Sequence, residues 1–355
     1  MSQVIPGADR PTLLVVFGGR SSEHGVSCLT ASEVLAVIDR DRYDVQPVGI
    51  TRDGRWVRET AEWTDIAPGT LPEVRADLPD FAWEELRRAD AVFPLLHGPW
   101  GEDGTVQGLL EMADVRYVGA GVLASSVGMD KPFTKTVFAA AGLPQLAHVT
   151  ILPWQWSKDR DRAEARVRGL GLPVFVKPAR AGSSSGVVMV ESWDQLDAAV
   201  QAAREFDPKV IVEAAARNKR EVECGVMQGP DGVPVASVVG EITVDADTEH
   251  EFYDFEAKYL DGSSTNVIPA DISQTDSERI RAYAIQAFEA IGAEGLARVD
   301  FFLTDDGLVI NEINTMPGFT PFSMFPRLWE ASGVSYAELV DRLIALALQR
   351  DTGLR

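Results

Sequence analysis

The chain has 355 residues, 45% hydrophobic and 25% charged, enough to pack two or three domains, and this composition excludes disorder and fibrous repeats. Asp plus Glu number 54 against 33 Lys plus Arg, and a net charge of −21 repels phosphate backbones and excludes bulk nucleic-acid binding. The two cysteines, Cys28 and Cys224, form no CxxC pair and no disulfide framework, which fits a reducing cytoplasm.

Asp9 and Arg10 precede any apolar run, so no signal peptide is expected. Residues 12–17 (TLLVVF) run into Gly18-Gly19, the pattern of a buried parallel strand entering a turn. Leu29, Val34, Leu35 and Ile38 recur at helical spacing and predict a helix over 27–38. Strands are expected at 45–50 and 91–96 (AVFPLL), and a helix at 105–112. Residues 52–85 are rich in Trp, Pro and acids, with weak periodicity, and read as a loop or small excursion. Alternating strands and helices imply an open α/β sheet, with ligand loops after Phe17 and after Leu96.

A second unit begins near Lys131. It has a helix at 133–141, strands at 174–176, 187–190 and 210–212, a Gly/Ser loop at 181–186 and a helix at 193–206. The uncharged stretch 136–157 contains Gly142, Pro144, Gln145, His148 and Pro153, too broken to span a bilayer as a helix. A third unit has strands near 221–227, 235–242, 297–303 and 308–313, and helices near 277–291 and 335–348, an α+β pattern. The expected domains are therefore an N-terminal α/β unit over 1–129, a central unit over 130–216 and a C-terminal α+β unit over 217–355.

The strongest chemical signal is Asp300-Phe301-Phe302 followed by Asn311-Glu312-Ile313-Asn314, two strands joined at Asp305-Asp306-Gly307. Alternation puts Glu312 and Asn314 on one face, and pairing can bring Asp300 to it. Two carboxylates and an amide oxygen suit Mg²⁺ or Mn²⁺ bridged to phosphate oxygens. The competing reading is a solvated edge hairpin; Val299, Ile310 and Ile313 weigh against it, since unpaired oxygens in a core are costly. Lys177 ends an apolar strand before Ala181-Gly182-Ser183-Ser184-Ser185-Gly186, whose small residues let backbone N–H groups approach an anion. There is no GxxxxGK[ST], so this is no P-loop. Residues 119–124 (GAGVLA) fit a loose dinucleotide pattern outside the first strand–helix unit, and read as a structural turn.

Residues 17–24 (FGGRSSEH) and 97–104 (HGPWGEDG) each follow a strand of the first sheet. Glu23 suits an ammonium group and His97 a carboxylate, while Glu102 and Asp103 read as charges at a helix N-terminus. No GxSxG is present, and four histidines without paired spacing exclude most histidine metal sites.

Seven segments in order carry a resemblance: GGRSSEH (18–24), HGPWGEDGTVQG (97–108), MDK (129–131), VKPARAGSSSGV (176–187), FYDFEAKY (252–259), ARVDFF (297–302) and NEINTMPGFTPFS (311–323). Over residues 12–348 the chain closely resembles the D-alanine–D-alanine ligases of the ATP-grasp superfamily. The resemblance implies the ATP-grasp fold, cytoplasmic homodimers, and ATP-dependent joining of two D-alanines through an acylphosphate for peptidoglycan precursors. It implies that Lys131, Lys177 and Ser184 bind ATP phosphates, that Glu213 lies near the adenine and Glu221 near the ribose, and that Asp300, Glu312 and Asn314 hold two Mg²⁺ or Mn²⁺ ions. Glu23 would bind the first D-alanine's ammonium in a network with Ser183 and Tyr259, beside His97. Arg298 and the Gly318 N–H would stabilise the oxyanion, and Ser323 and Lys258 would lie near the second substrate and the γ-phosphate. Residues 252–259 resemble a loop that closes the site and excludes water.

Two departures stand out. Gly25 replaces the Glu or apolar residue frequent in the family, and the hinge Glu213-Ala214-Ala215-Ala216 lacks the family's lysine. Competing functions are D-alanine–D-lactate or D-alanine–D-serine ligation, for which Tyr259 discriminates, a non-catalytic nucleotide-binding module, and a dinucleotide oxidoreductase resting on 119–124 alone.

Overall fold

In the first sheet, β1 (Thr12–Gly18) lies between β2 (Asp44–Ile50) and β4 (Ala91–Pro94), parallel to both, and β3 (Trp56–Arg58) pairs antiparallel with β2. The computed structural model describes residues 10–61, 63, 70–182, 184–244 and 264–353. Leu13 to Phe17 are all buried, because this sheet is covered on both faces and its central strand has no solvent side. With partners on both sides, β1 marks the point where the strand order reverses, so the loops after β1 and β4 open on one crevice.

Helix α1 (His24–Val37) starts three residues before the predicted position, because its first turn, His24-Gly25-Val26, is buried and supplies no polar start signal. Residues 52–85 hold β3 and the one-turn α2 (Trp83–Leu86), both too short to show a period. Helices α3 (Thr105–Ala113), α4 (Val122–Met129) and α5 (Lys131–Ala140) lead into the next unit; Asp130 caps α5 by accepting from the Phe133 N–H.

The central sheet is antiparallel, in the order β5 (His148–Ile151), β8 (Val210–Ala214), β6 (Val174–Pro178), β7 (Val188–Val190). Helices α6 (Pro153–Lys158), α7 (Arg160–Arg168) and α8 (Leu196–Phe206) cover it around Val149, Val167, Val174, Val200 and Val212. The sequence reading missed β5, α6 and α7: four residues of strand carry too few repeats to separate from a loop.

The third sheet is also antiparallel: β11 (Ser264–Val267), β10 (Pro234–Val244), β9 (Arg220–Gln228), β12 (Leu296–Thr304) and β13 (Gly307–Asn314). The helix α9 (Gln274–Ala290) packs Ile280, Ala284 and Phe288 against Val222, Val226 and Val299 in one core with Phe138 of α5. The last two helices, α10 (Met324–Ala331) and α11 (Tyr336–Gln349), return to the first sheet: Phe325, Leu339 and Leu343 share a core with Val34 and Phe93. Among the described residues no helix is long and apolar enough to cross a membrane.

Candidate active site

The loops of the first sheet, the Gly/Ser turn of the central sheet and one face of the third sheet line a single cavity of about 850 Å³. Glu23 reaches it from the residue preceding α1 and is 7% exposed. A Cβ on Gly98, whose φ is +73°, would lie 2.5 Å from Glu23 Oε2, and one on Gly182 would lie 2.7 Å from it. Glycine at both positions therefore lets two loops close on that carboxylate. Ser21 ties the loops together by donating to the His97 carbonyl at 2.7 Å. Gly25, the departure noted above, has a local cause: a Cβ there would stand 2.4 Å from Leu71 Cβ.

His97 is buried, with Nδ1 3.3 Å from the Met316 carbonyl and Nε2 3.4 Å from Thr30 Oγ1. Burial lowers its pKa despite the opposing pull of Glu23. Its Nδ1 stands 3.9 Å from Glu102 Oε1. Glu102 was expected as a charge at a helix N-terminus. Instead it accepts from the Gly98 N–H at 2.6 Å and lines the cavity, and burial, reinforced by Glu23, pushes its pKa up to about 8. Asp103 does serve the helix start, accepting from the Thr105 and Trp100 N–H groups at 2.9 Å.

Lys177, at the end of β6, lies 3.0 Å from Glu213 Oε2 on β8, and Lys135 of α5 lies 3.3 Å from Oε1. Burial alone would raise the Glu213 pKa, but the two lysines take it down to about 2. Burial works against the charge on Lys177, yet Glu213 keeps its pKa raised; the deeper Lys135 is lowered by burial. Lys177 lines the cavity. Lys131 Nζ donates to the Ala181 carbonyl at 2.9 Å and stands 3.8 Å from Glu312 Oε2, bringing α5 under the Gly/Ser turn. Ser184, with φ +56°, and Glu221, paired with Lys219 at 2.6 Å, also line it.

On the third sheet Asp300 stands opposite Glu312 across β12 and β13, with a register shift just after Asp300. Asn314 Nδ2 donates to Asp300 Oδ2 at 3.0 Å, and Asp300, Glu312 and Asn314 all line the cavity. Arg298, two residues before Asp300, engages it through Nε and Nη2, both at 2.7 Å. Among the described residues no group of three or more His, Cys, Asp and Glu side chains could hold a metal ion. Two carboxylates and an amide oxygen are an incomplete shell of hard donors, and they fit a small divalent cation that takes its other ligands from phosphate and water. Gly318 and Ser323 line the same cavity; Ser323 Oγ accepts from the Thr320 N–H at 3.1 Å.

Ser183, Lys258 and Tyr259 lie outside the described residues. The 119–124 segment does not line the cavity: Gly119 has φ +100° and packs against Gly295, where a Cβ would be 3.1 Å from its Cα, which makes it a structural turn. Three site residues escaped the sequence reading. Lys135 lies one helical turn after Lys131, and Glu223 lies two residues after Glu221 on one strand face, so each had a period as its signal. Glu102 had no signal beyond its loop.

Family models described as D-ala D-ala ligase N-terminus and C-terminus match residues 12–120 and 137–345. A D-alanine–D-alanine ligase of Arthrobacter sp. (strain FB24) is 52% identical, over 99% of this chain and 97% of its own. That of Streptomyces coelicolor is 51% identical, over 97% and 95%. Among solved structures, the VanG D-Ala:D-Ser ligase from Enterococcus faecalis superposes with a TM-score of 0.80 at 34% identity, covering 96% of this chain and 100% of that one. The D-alanine–D-alanine ligase from Coxiella burnetii gives 0.77 at 33%, covering 97% and 95%. Matches of this length and identity, on a cavity with this arrangement, establish that the chain belongs to the D-alanine–D-alanine ligase family and carries its ATP-grasp fold.

Proposed function

We propose that this chain joins two D-alanines into D-alanyl-D-alanine, converting ATP to ADP and phosphate, for peptidoglycan precursor synthesis. The observation that carries the reading is the single cavity where Glu23, Lys177, Arg298 and the Asp300–Glu312–Asn314 set converge from three sheets. Glu23 suits the first substrate's ammonium, and Lys131, Lys177 and Ser184 suit the phosphates of ATP. Glu213, which would lie near the adenine with Glu221 toward the ribose, keeps Lys177 charged for the phosphates.

In the proposed course, a carboxylate oxygen of the first D-alanine forms a bond to the γ-phosphorus as the bond to ADP breaks. The amine of the second D-alanine then attacks the acylphosphate carbon, losing its proton, and phosphate leaves. Asp300, Glu312 and Asn314 would hold two Mg²⁺ or Mn²⁺ ions, which supply charge neutralisation to the moving phosphoryl group. Arg298 and the Gly318 N–H face the oxyanion, and buried donors act there without reorganising. By the family resemblance, His97, Ser323 and Lys258 would lie by the substrates, and Ser183 and Tyr259 would support Glu23. The three units over 1–129, 130–216 and 217–355, a homodimer and a cytoplasmic location complete the reading.

The test is phosphate release with ATP, Mg²⁺ and D-alanine, followed by mass analysis, with D-serine and D-lactate offered in competition. D-alanyl-D-alanine with one phosphate per dipeptide is expected. Equal ATP hydrolysis with and without D-alanine, and no dipeptide, overturns the reading; a mixed product carrying D-serine or D-lactate reassigns the second substrate.

A further inference from the structure

Arg298 is flanked by two acids. Besides its paired bonds to Asp300, its Nε lies 2.8 Å from Glu223 Oε2 on β9. Glu223 is 5% exposed and stands opposite Asp300 in the β9–β12 register. The position opposite Arg298 itself is Gly225, where a Cβ would come 3.0 Å from Trp329 Nε1 and 3.2 Å from Phe325. Strand β9 thus presents no side chain directly opposite the arginine, because Trp329 and Phe325 occupy that space, and places one buried carboxylate at its guanidinium.

Asp300 meets two demands. Both its oxygens bind Arg298, and it also belongs to the oxygen set with Glu312 and Asn314 that suits a divalent cation. A carboxylate clamped by a guanidinium is a poorer cation ligand, because the same lone pairs and the same charge serve both. Resting on the ligase reading above, we propose that Glu223 is the positioning residue for Arg298. It holds the guanidinium in the cavity wall from β9, so that Asp300 can turn to a cation while Arg298 stays where the oxyanion forms.

The test is a cycle of Glu223→Ala and Glu223→Gln, each alone and with Arg298→Met. Two quantities are read: kcat with ATP and D-alanine, and, without turnover, Mn²⁺ affinity of the ADP-bound protein by calorimetry. Losing a whole oxyanion donor costs about 10²–10³ in kcat, so misplacing one through Glu223→Ala should cost ~10–100-fold. KM for ATP should change less than about threefold, since nucleotide binding is not what Glu223 serves. Mn²⁺ affinity should fall about tenfold, the usual scale for a residue that supports a metal ligand. Glu223→Gln keeps the size of the side chain but not its charge beside Nε, so its loss in kcat should be smaller than that of the alanine variant. With Arg298→Met present, neither Glu223 substitution should lower kcat or Mn²⁺ affinity further. Losses that multiply in the double variants, or a Glu223→Ala protein with wild-type kcat and Mn²⁺ affinity, overturn the proposal. If the alanine variant does not fold, the isosteric glutamine carries the same comparison through its smaller losses of kcat and Mn²⁺ affinity, which must vanish beside Arg298→Met. Should wild-type protein make no dipeptide, the ligase reading has failed, and the Mn²⁺ cycle still decides whether Glu223 acts through Arg298.

Discussion

Replacing Glu102 by glutamine asks whether this side chain is buried as a neutral acid. Its pKa stands at about 8 against an ordinary 4.5. Between those values the folded protein holds a proton that the unfolded chain releases. Raising the pH therefore destabilises the wild type across this window, and the loss levels off above the folded value. The slope is about 1.4 kcal/mol per pH unit, which sets a ceiling of ~4–5 kcal/mol. The open side of the cavity admits water that screens the effect, so the expected difference near pH 8 is ~2–3 kcal/mol. Glutamine has the same size, keeps an oxygen for the Gly98 N–H, and cannot ionise. Burial holds His97 below its ordinary pKa, so at about pH 8 it is neutral in the wild type and the comparison there reads chiefly Glu102. Urea unfolding of both proteins at about pH 5, 6.5 and 8 measures the gap. Glu102→Gln should be nearly neutral at the lowest pH and increasingly stabilising upward. A gap independent of pH, or a less stable variant near pH 8, would mean that Glu102 is ionised and paired with His97, and the neutral-acid argument would fall.

Glu312→Gln removes a carboxylate from the oxygen set, and steady-state assays should find kcat lower by roughly 10²-fold or more with an unchanged circular dichroism spectrum; a near-normal rate at limiting Mg²⁺ would make Glu312 structural. Gly25→Ala forces a methyl against Leu71, so thermal unfolding should register a loss of ~1–3 kcal/mol. Lys135→Met leaves Glu213 with Lys177 alone, which ties that lysine more closely to the acid; KM for ATP should rise about tenfold with a smaller change in kcat, and an unchanged KM would separate Lys135 from nucleotide binding.

Local pattern determined much of this protein. Alternation along β13 put Glu312 and Asn314 on one face, and the apolar run 12–17 announced a strand buried on both sides, because a period of two and a run without polar residues are properties of the chain alone. The seven ordered motifs identified the family. What pairs with what was settled by tertiary structure. The apolar stripe of Tyr336–Gln349 is legible in sequence, yet its burial against Val34 and Phe93, near the other end of the chain, is not. Likewise Lys135 and Glu213 meet only when α5 packs beside β8, and Glu223 reaches Arg298 only through the β9–β12 register. The protonation of Glu102 depends on how thoroughly water is removed around it, a quantity that no spacing of residues encodes and that only the assembled cavity supplies.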